Sequence, residues 1–309
     1  MNRPAPLPVV RAAELEASSP EARWLIETLW PLEGVGVIGG SPKSLKTWAG
    51  LELATSIASN TPCLGAFAVK APGMALVYLA EERLPVVRER LEALCAHRRL
   101  PLEHLDLGVI TSPSLRLDLE ADVERLEATL DRLRPRLLLL DPLVRLHRGD
   151  ENSAQEIASL LARLRELQRR YQVAIILVHH TRKNGRTRQQ GQALRGSGDL
   201  HAWGDTGLYL THQGSRLQLT IEHRAAPAPE PLFLELTGNP PHLELCEPPG
   251  DDQPTLEDTI LSALRRAPGP LRRTELRSML GVNNKRLGDA LQQLEQLGRI
   301  RRAPNGWHA

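Results

Sequence analysis

Gly34-Val-Gly-Val-Ile-Gly-Gly-Ser-Pro-Lys-Ser-Leu-Lys-Thr47 reads as a short apolar strand that runs into a tight loop and then a helix. Gly40, Lys46 and Thr47 fit the template G-x-x-x-x-G-K-[ST]. In such a loop the backbone N–H groups turn inward around phosphate oxygens, and the following helix adds its positive N-terminal end. The candidate cradle is Gly40, Ser41, Pro42, Lys43, Ser44, Leu45, Lys46 and Thr47. Lys46 would reach the β- and γ-phosphates of a nucleotide, and the Thr47 hydroxyl would ligate Mg2+. Leu45 stands where the template has its second glycine, and puts a side chain where glycine gives the backbone room. Taken alone, a glycine-rich turn before Lys-Thr also describes an ordinary strand–helix connection, so the rest of the chain has to decide.

Composition narrows the partners and the compartment. The 309 residues suffice for one large domain or two. With 39 basic and 37 acidic residues the charges nearly cancel, so any nucleic-acid surface must be local. Cys63, Cys95 and Cys246 are odd in number, widely spaced and without a C-x-x-C pair. They argue against a disulfide framework or zinc site and suit a reducing interior. No apolar stretch approaches the ~20 residues that span a bilayer, and the N-terminus lacks a signal-peptide core. The expectation is a soluble cytoplasmic protein with no membrane partner.

Working outward from the loop, residues 1–30 begin proline-rich, and 20–30 read as a short helix in an N-terminal lead-in. From residue 33 to about 226, strand-like and helical patterns alternate. Apolar runs at 34–38, 75–79, 137–140 and 173–178 are separated by helical patterns at 47–59, 84–98, 119–133 and 153–171. Buried strands alternating with amphipathic helices predict an α/β fold with a mainly parallel sheet covered on both faces. Runs at 206–211 and 217–223 read as closing strands. Composition shifts at 225–231 and at 247–253, and the second marks a linker. The expected layout is a lead-in over 1–30, a P-loop core over 31–248, a linker over 249–253 and a small unit over 254–309.

Four features follow the loop in a meaningful order. The run 75–79 leads through Ala80 to Glu81 and Glu82, which places a carboxylate at the C-terminal tip of a strand, where open α/β sheets bind ligands. A glutamate there can orient and deprotonate an attacking water; the rival reading is a solvated acidic pair opening the next helix. Arg136-Leu-Leu-Leu-Leu-Asp141-Pro142 is the Walker B pattern, four apolar residues ending in a carboxylate that would support Mg2+. An aspartate merely capping a turn at Pro142 is the alternative. The run 173–178 ends in His179 and His180, which could sense the γ-phosphate, could bind zinc if a third ligand were near, or could be structural. Beyond them, 183–199 is rich in Lys, Arg, Gln, Asn and Gly, with Arg195 near its end. Such a segment can contact phosphates, send an arginine into a neighbour's site, or simply be a solvated loop.

This order of motifs resembles the RecA-type ATPase core and, more closely, the RepA-like group of AAA-family ATPases, which includes a plasmid replicative hexameric helicase. The resemblance covers about residues 24–215. Its most specific pieces are Tyr78-Leu-Ala-Glu-Glu82, Asp141-Pro142 leading to Gly149-Asp-Glu-Asn152, Val178-His-His-Thr-Arg-Lys183 and Leu194-Arg-Gly-Ser197. It implies that Lys46 and Thr47 bind phosphate and metal, that Glu81 activates water, and that Asp141 supports Mg2+. It further implies that His179 or His180 senses the γ-phosphate and that Arg195 completes the adjacent subunit's site. The implied cofactors are ATP and Mg2+. The implied partners are single-stranded DNA at the 182–197 loop and further copies of the chain, a hexamer among the options. Leu45 and the second lysine, Lys43, depart from the usual loop and bear on the rate of hydrolysis.

The C-terminal stretch resembles a winged helix-turn-helix. Helical patterns over 255–266, 273–280 and from about 283 to 297 precede a hairpin with an Asn-Gly turn signal at Asn305. Residues 251–309 hold ten basic and seven acidic side chains. Asn283, Asn284, Lys285 and Arg286 would open the recognition helix, with Arg299, Arg301 and Arg302 on the wing near phosphates of duplex DNA. Such domains also pair with protein. The leading expectation is an Mg2+-dependent ATPase acting on DNA as a helicase or translocase in plasmid, phage or mobile-element replication. A nucleotide-switched DNA-binding regulator and a helicase-loading or assembly protein are the alternatives.

Overall fold

The computed structural model describes residues 7–15, 23–150, 153–180, 198–213, 216–248, 256–267, 269–282 and 284–309. The chain divides into two compact units, Met1–Cys246 and Glu247–Ala309.

The first unit opens on a short hairpin, β1 (Trp24–Ile26) and β2 (Trp30–Pro31), followed by β3 (Val35–Gly40) and α1 (Lys46–Ser59). Then come β4 (Ala75–Leu79), α2 (Leu84–His97), β5 (Leu107–Val109), α3 (Glu120–Leu133) and β6 (Leu137–Asp141). A 3-10 turn at Leu143–Arg145 leads to α4 (Ala154–Tyr171) and β7 (Ala174–His180). The unit closes with α5 (Gly198–Trp203), β8 (Thr206–Gln213), β9 (Arg216–His223), β10 (Leu232–Thr237) and β11 (His242–Cys246). The expected helix over 20–30 is not formed in its described part. Residues 24–31 are a hairpin whose Leu25, Ile26, Leu29 and Trp30 are all buried, with Glu27 and Thr28 at the turn between the strands.

The nine-stranded sheet has the order β11-β10-β9-β8-β3-β7-β6-β4-β5. Its central strands, from β8 to β5, run parallel, and β9, β10 and β11 add an antiparallel flank. The sequence had signalled neither β5 nor the β10–β11 pair. β5 is three half-buried residues, and β10, between β9 and the edge strand β11, alternates only weakly.

Alternation along each central strand divides the core in two. Leu137, Leu139, Ile176 and Val178 face α1, α2 and the hairpin. Leu138, Leu140, Ile175 and Leu177 face α3, α4 and α5. With both faces covered, these strands read as unbroken apolar runs. At the opposite end of the sheet from the loop, Asp205 ties three elements together. Its carboxylate accepts the Val35 N–H at 3.0 Å and the Arg165 guanidinium at 2.8 Å.

A second anchor joins α1 to α2. The Arg98 guanidinium donates to Glu52 at 2.5 Å, to Ser56 Oγ at 2.9 Å and to Thr61 Oγ1 at 3.0 Å, and the Glu52 carboxylate also accepts the Leu64 N–H. Both charged side chains are almost fully buried. Removing one partner leaves the other charge desolvated and alone. Arg98→Met should therefore lower the unfolding free energy by about 3–5 kcal/mol, read as a shift in the urea midpoint.

The second unit holds α6 (Leu256–Arg266), α7 (Arg273–Leu280), α8 (Asn284–Gln296) and the hairpin β12 (Arg301–Ala303) with β13 (Gly306–His308). It has its own core, in which Ile260, Leu264, Leu276, Leu287, Leu294 and Ile300 pack together.

Candidate functional site

The loop between β3 and α1 is built by close approaches that few residues allow. A Cβ on Gly40 would lie 2.4 Å from Ser44 Oγ and 2.6 Å from the Leu210 carbonyl oxygen, so only glycine fits where the chain leaves the sheet. The loop then closes on the Ser41 carbonyl. It accepts from the Ser44 N–H at 3.2 Å, from Ser44 Oγ at 2.8 Å and from the Lys46 ammonium at 2.7 Å. Lys46 is thus folded into the loop and buried, with its charge held at the centre of the candidate cradle. Burial pushes the ammonium below the ordinary lysine value, and the Asp141 carboxylate pulls it back up.

Leu45 is the N-cap of α1 and sits in the left-handed region, at φ 58° and ψ 26°. Lys43 also has a positive φ, of 65°. The template's second glycine is therefore a conformational requirement, and this chain meets it with a leucine. Holding a non-glycine residue there costs roughly 1–2 kcal/mol. Leu45 offsets part of this by packing, half-buried, against the core beneath α1. Leu45→Gly relieves the strain and forfeits that packing, so stability should change by less than about 1 kcal/mol. Leu45→Val, β-branched and poorly suited to the left-handed region, should destabilise by about 2 kcal/mol or more. Chemical denaturation of the two variants separates these outcomes.

Asp141 ends β6, and Thr47 opens the first turn of α1. The two strands that carry them to the site are not neighbours, because β7 lies between β3 and β6. The Thr47 hydroxyl nevertheless donates to the Asp141 carboxylate at 2.7 Å. Asp141 is buried, and desolvation raises its pKa to about 6, opposed by the Thr47 hydrogen bond and the Lys46 charge and reinforced by Glu81 and Glu82. A hydroxyl and a carboxylate joined beside a lysine-bearing loop are the donor set that a magnesium ion takes, oxygen ligands with room for water and phosphate.

The folded-state value of Asp141 lies above its ordinary 3.8. Folding therefore takes up a proton between about pH 4 and pH 6, and this group's contribution to stability falls as pH rises through that window. Above it the cost is complete, at most about 3 kcal/mol. Asp141→Asn should remove that slope and stabilise the protein near neutral pH, measured by thermal melting with a chelator present.

Glu81 and Glu82 lie just past β4, whose last residue pairs with Asp141, and the Ala80 N–H donates to the Asp141 carbonyl at 2.8 Å. The strand tip thus brings the acidic pair beside the metal-type carboxylate, as the sequence order implied. Each glutamate has a cationic partner that the sequence did not reveal. Arg145 Nε donates to Glu81 at 2.8 Å, and Arg90 pairs with Glu82 at 2.9 Å. Glu81 and Arg145 are 64 residues apart, so no local pattern signals the pair.

His179 and His180 are the last residues of β7, in register with Gly39 and Gly40 of β3. His179 is buried inside the sheet and His180 is half-buried, so both stand at the base of the loop. Arg195 and the 182–197 segment lie outside the described residues, as do the 249–253 linker and Asn283.

A strand, a phosphate-type loop and a helix at the C-terminal edge of a parallel sheet, with a carboxylate facing the loop's threonine, define a P-loop NTPase with a RecA-like core. Residues 1–186 match the AAA domain family, and the chain belongs to that family. Three solved structures share the fold. The ATPase domain of G40P matches with a TM-score of 0.52 at 15% identity, covering 70% of this chain and 85% of that one. A KaiC-like protein, PH0186 from Pyrococcus horikoshii OT3, matches with a TM-score of 0.50 at 15% identity, covering 72% and 94%. A DnaB-like replicative helicase, described with its interactions with primase, matches at 0.51 and 14% identity over 67% of this chain and 56% of that one. At these identities the likeness is one of fold. No curated protein matches the sequence significantly.

Proposed function

We propose that this chain hydrolyses ATP and couples the hydrolysis to work on DNA, as a helicase or translocase of the RepA-like group. The observation that carries the reading is the convergence of Lys46, Thr47, Asp141 and Glu81 on one edge of the sheet. In this reading Lys46 exchanges the Ser41 carbonyl for phosphate oxygens. Thr47 and Asp141 would hold Mg2+, which would supply neutralising charge to the phosphates. Glu81 accepts a proton from water as its oxygen attacks the γ-phosphorus and the bond to the β-phosphate oxygen breaks, releasing ADP and phosphate. His179 or His180 reports the loss of the γ-phosphate from the loop's base, and Arg195 completes a neighbouring subunit's site in a homo-oligomer. Among the described residues no helix is long and apolar enough to cross a membrane.

The DNA partner is supported by two features. The basic 182–197 segment follows β7 in the sequence, and β7 lies beside the loop's strand β3 in the sheet. The second unit places three helices before a two-stranded hairpin, and exposes Arg286, Arg299, Arg301 and Arg302. This order supports a winged helix-turn-helix over 254–309 that contacts phosphates through its hairpin.

A second reading, a nucleotide-switched regulator or loader with little turnover, draws on the strained Leu45 and Lys43 in the loop. Steady-state ATPase assays separate the two. The motor should be stimulated by single-stranded DNA, and Lys46→Ala and Glu81→Gln should each lower kcat by about 100-fold or more. Intact ATP binding with no turnover on any DNA would sink the motor and leave the switch.

A further inference from the structure

We propose that the Lys43 ammonium binds the terminal phosphate of the nucleotide held by its own loop, as a second phosphate ligand beside Lys46. The inference rests on the reading of the loop as an ATP site and goes beyond it. The loop template calls for the lysine at Lys46 and leaves the position of Lys43 open.

The loop turns before it reaches the helix, and Lys43 stands at the turn's most demanding position. The Ser44 N–H donates to the Ser41 carbonyl at 3.2 Å, which closes a turn over Ser41–Ser44. Pro42 is its second residue, with φ fixed at about −65° by its ring. Lys43 is the third, with a φ of 65°. That pair of φ angles makes a type II turn, whose third position favours glycine. A lysine there is strained. Leu45, the loop's other left-handed residue, offsets its strain by packing on the core. Lys43 has no such compensation. Its side chain is exposed, and among the described residues it has no hydrogen-bond or ion-pair partner.

The charges around the loop point to what this ammonium meets. Lys46 is folded onto the Ser41 carbonyl, within the field of Asp141. Arg90 and Arg145 are matched by Glu82 and Glu81. Three cations thus face three carboxylates before any ligand arrives. A magnesium–triphosphate complex is anionic, and its terminal phosphate, ionised twice near neutral pH, carries more charge than the inner ones. Among the described residues of the loop, Lys43 is the cation left to neutralise it. Lys46 is buried and Lys43 exposed, so the two approach a bound phosphate from the protein side and the solvent side. An ammonium donating to a phosphate oxygen makes one of the stronger hydrogen bonds available to a side chain. ADP lacks the group that Lys43 holds, so this residue distinguishes triphosphate from diphosphate.

The test is equilibrium binding of ADP and of the non-hydrolysable β,γ-imido analogue of ATP, with Mg2+, to the full chain by titration calorimetry. Lys43→Gly removes the ammonium and relieves the turn. It should therefore melt no lower than wild type and yet bind the imido analogue about tenfold more weakly. Its affinity for ADP should stay within about twofold of wild type. Lys43→Asn, neutral and also tolerant of the left-handed region, should repeat that pattern. Lys43→Arg keeps a cation and should bind the analogue within about threefold of wild type. If Lys43 served only the fold of the loop, the glycine variant would bind both nucleotides at least as well as wild type. That result overturns the proposal and leaves the ATP site standing. Equal weakening of ADP and analogue also overturns it, because the ammonium then acts on a phosphate that both share. Wild type that binds neither nucleotide overturns the ATP reading and the proposal with it.

Discussion

The turn from β3 into α1 constrains everything around it. Gly40 has no room for a side chain between Ser44 and Leu210, and the chain must then reverse through Leu45 in a left-handed conformation before the helix can start. Only that path points Lys46 back at the Ser41 carbonyl and Thr47 outward at Asp141. The sheet supplies the rest of the constraint. β7 and β8 flank β3 in parallel register through Gly40, so the loop leaves from a fixed edge with both neighbours in place.

Charge at this edge is arranged around one buried carboxylate. Asp141 loses hydration on entering the sheet's tip, and the Thr47 hydroxyl and Lys46 ammonium compensate only in part. Glu81 and Glu82 add repulsion rather than relief. Such a cluster is costly to desolvate, and a divalent cation held there would offset that cost and join the folding of the site to its ligand chemistry. The arginines around it, Arg90 and Arg145, pair with the outer carboxylates and leave Asp141 to the loop.

Much of this was readable in the chain, for specific reasons. The apolar runs that became β4, β6 and β7 are continuous because both faces of a parallel sheet are covered, and their ends carry Glu81, Asp141 and His179–His180. The stretch 24–31 is a hairpin where its sequence reads as a helix, because Leu25 and Ile26, adjacent and both buried beneath the sheet, fit no helical face. The sequence does not signal β5, β10 and β11 because strands at and next to the sheet's edges are short and largely half-buried, and so lack the pattern that burial on two faces imposes.

The sequence by itself determined the chemistry of the loop, the order of the charged strand tips and the alternation of strands with helices. Each of these is written in residue type and local spacing, which the backbone's own periodicities convert directly into structure. Only the tertiary structure decided that Leu45 adopts the conformation glycine would have taken, that Thr47 meets Asp141 across an intervening strand, and that Arg145 holds Glu81. Those contacts join residues tens of positions apart. They exist because a nine-stranded sheet brings its strand tips to one edge, and no local pattern carries that distance.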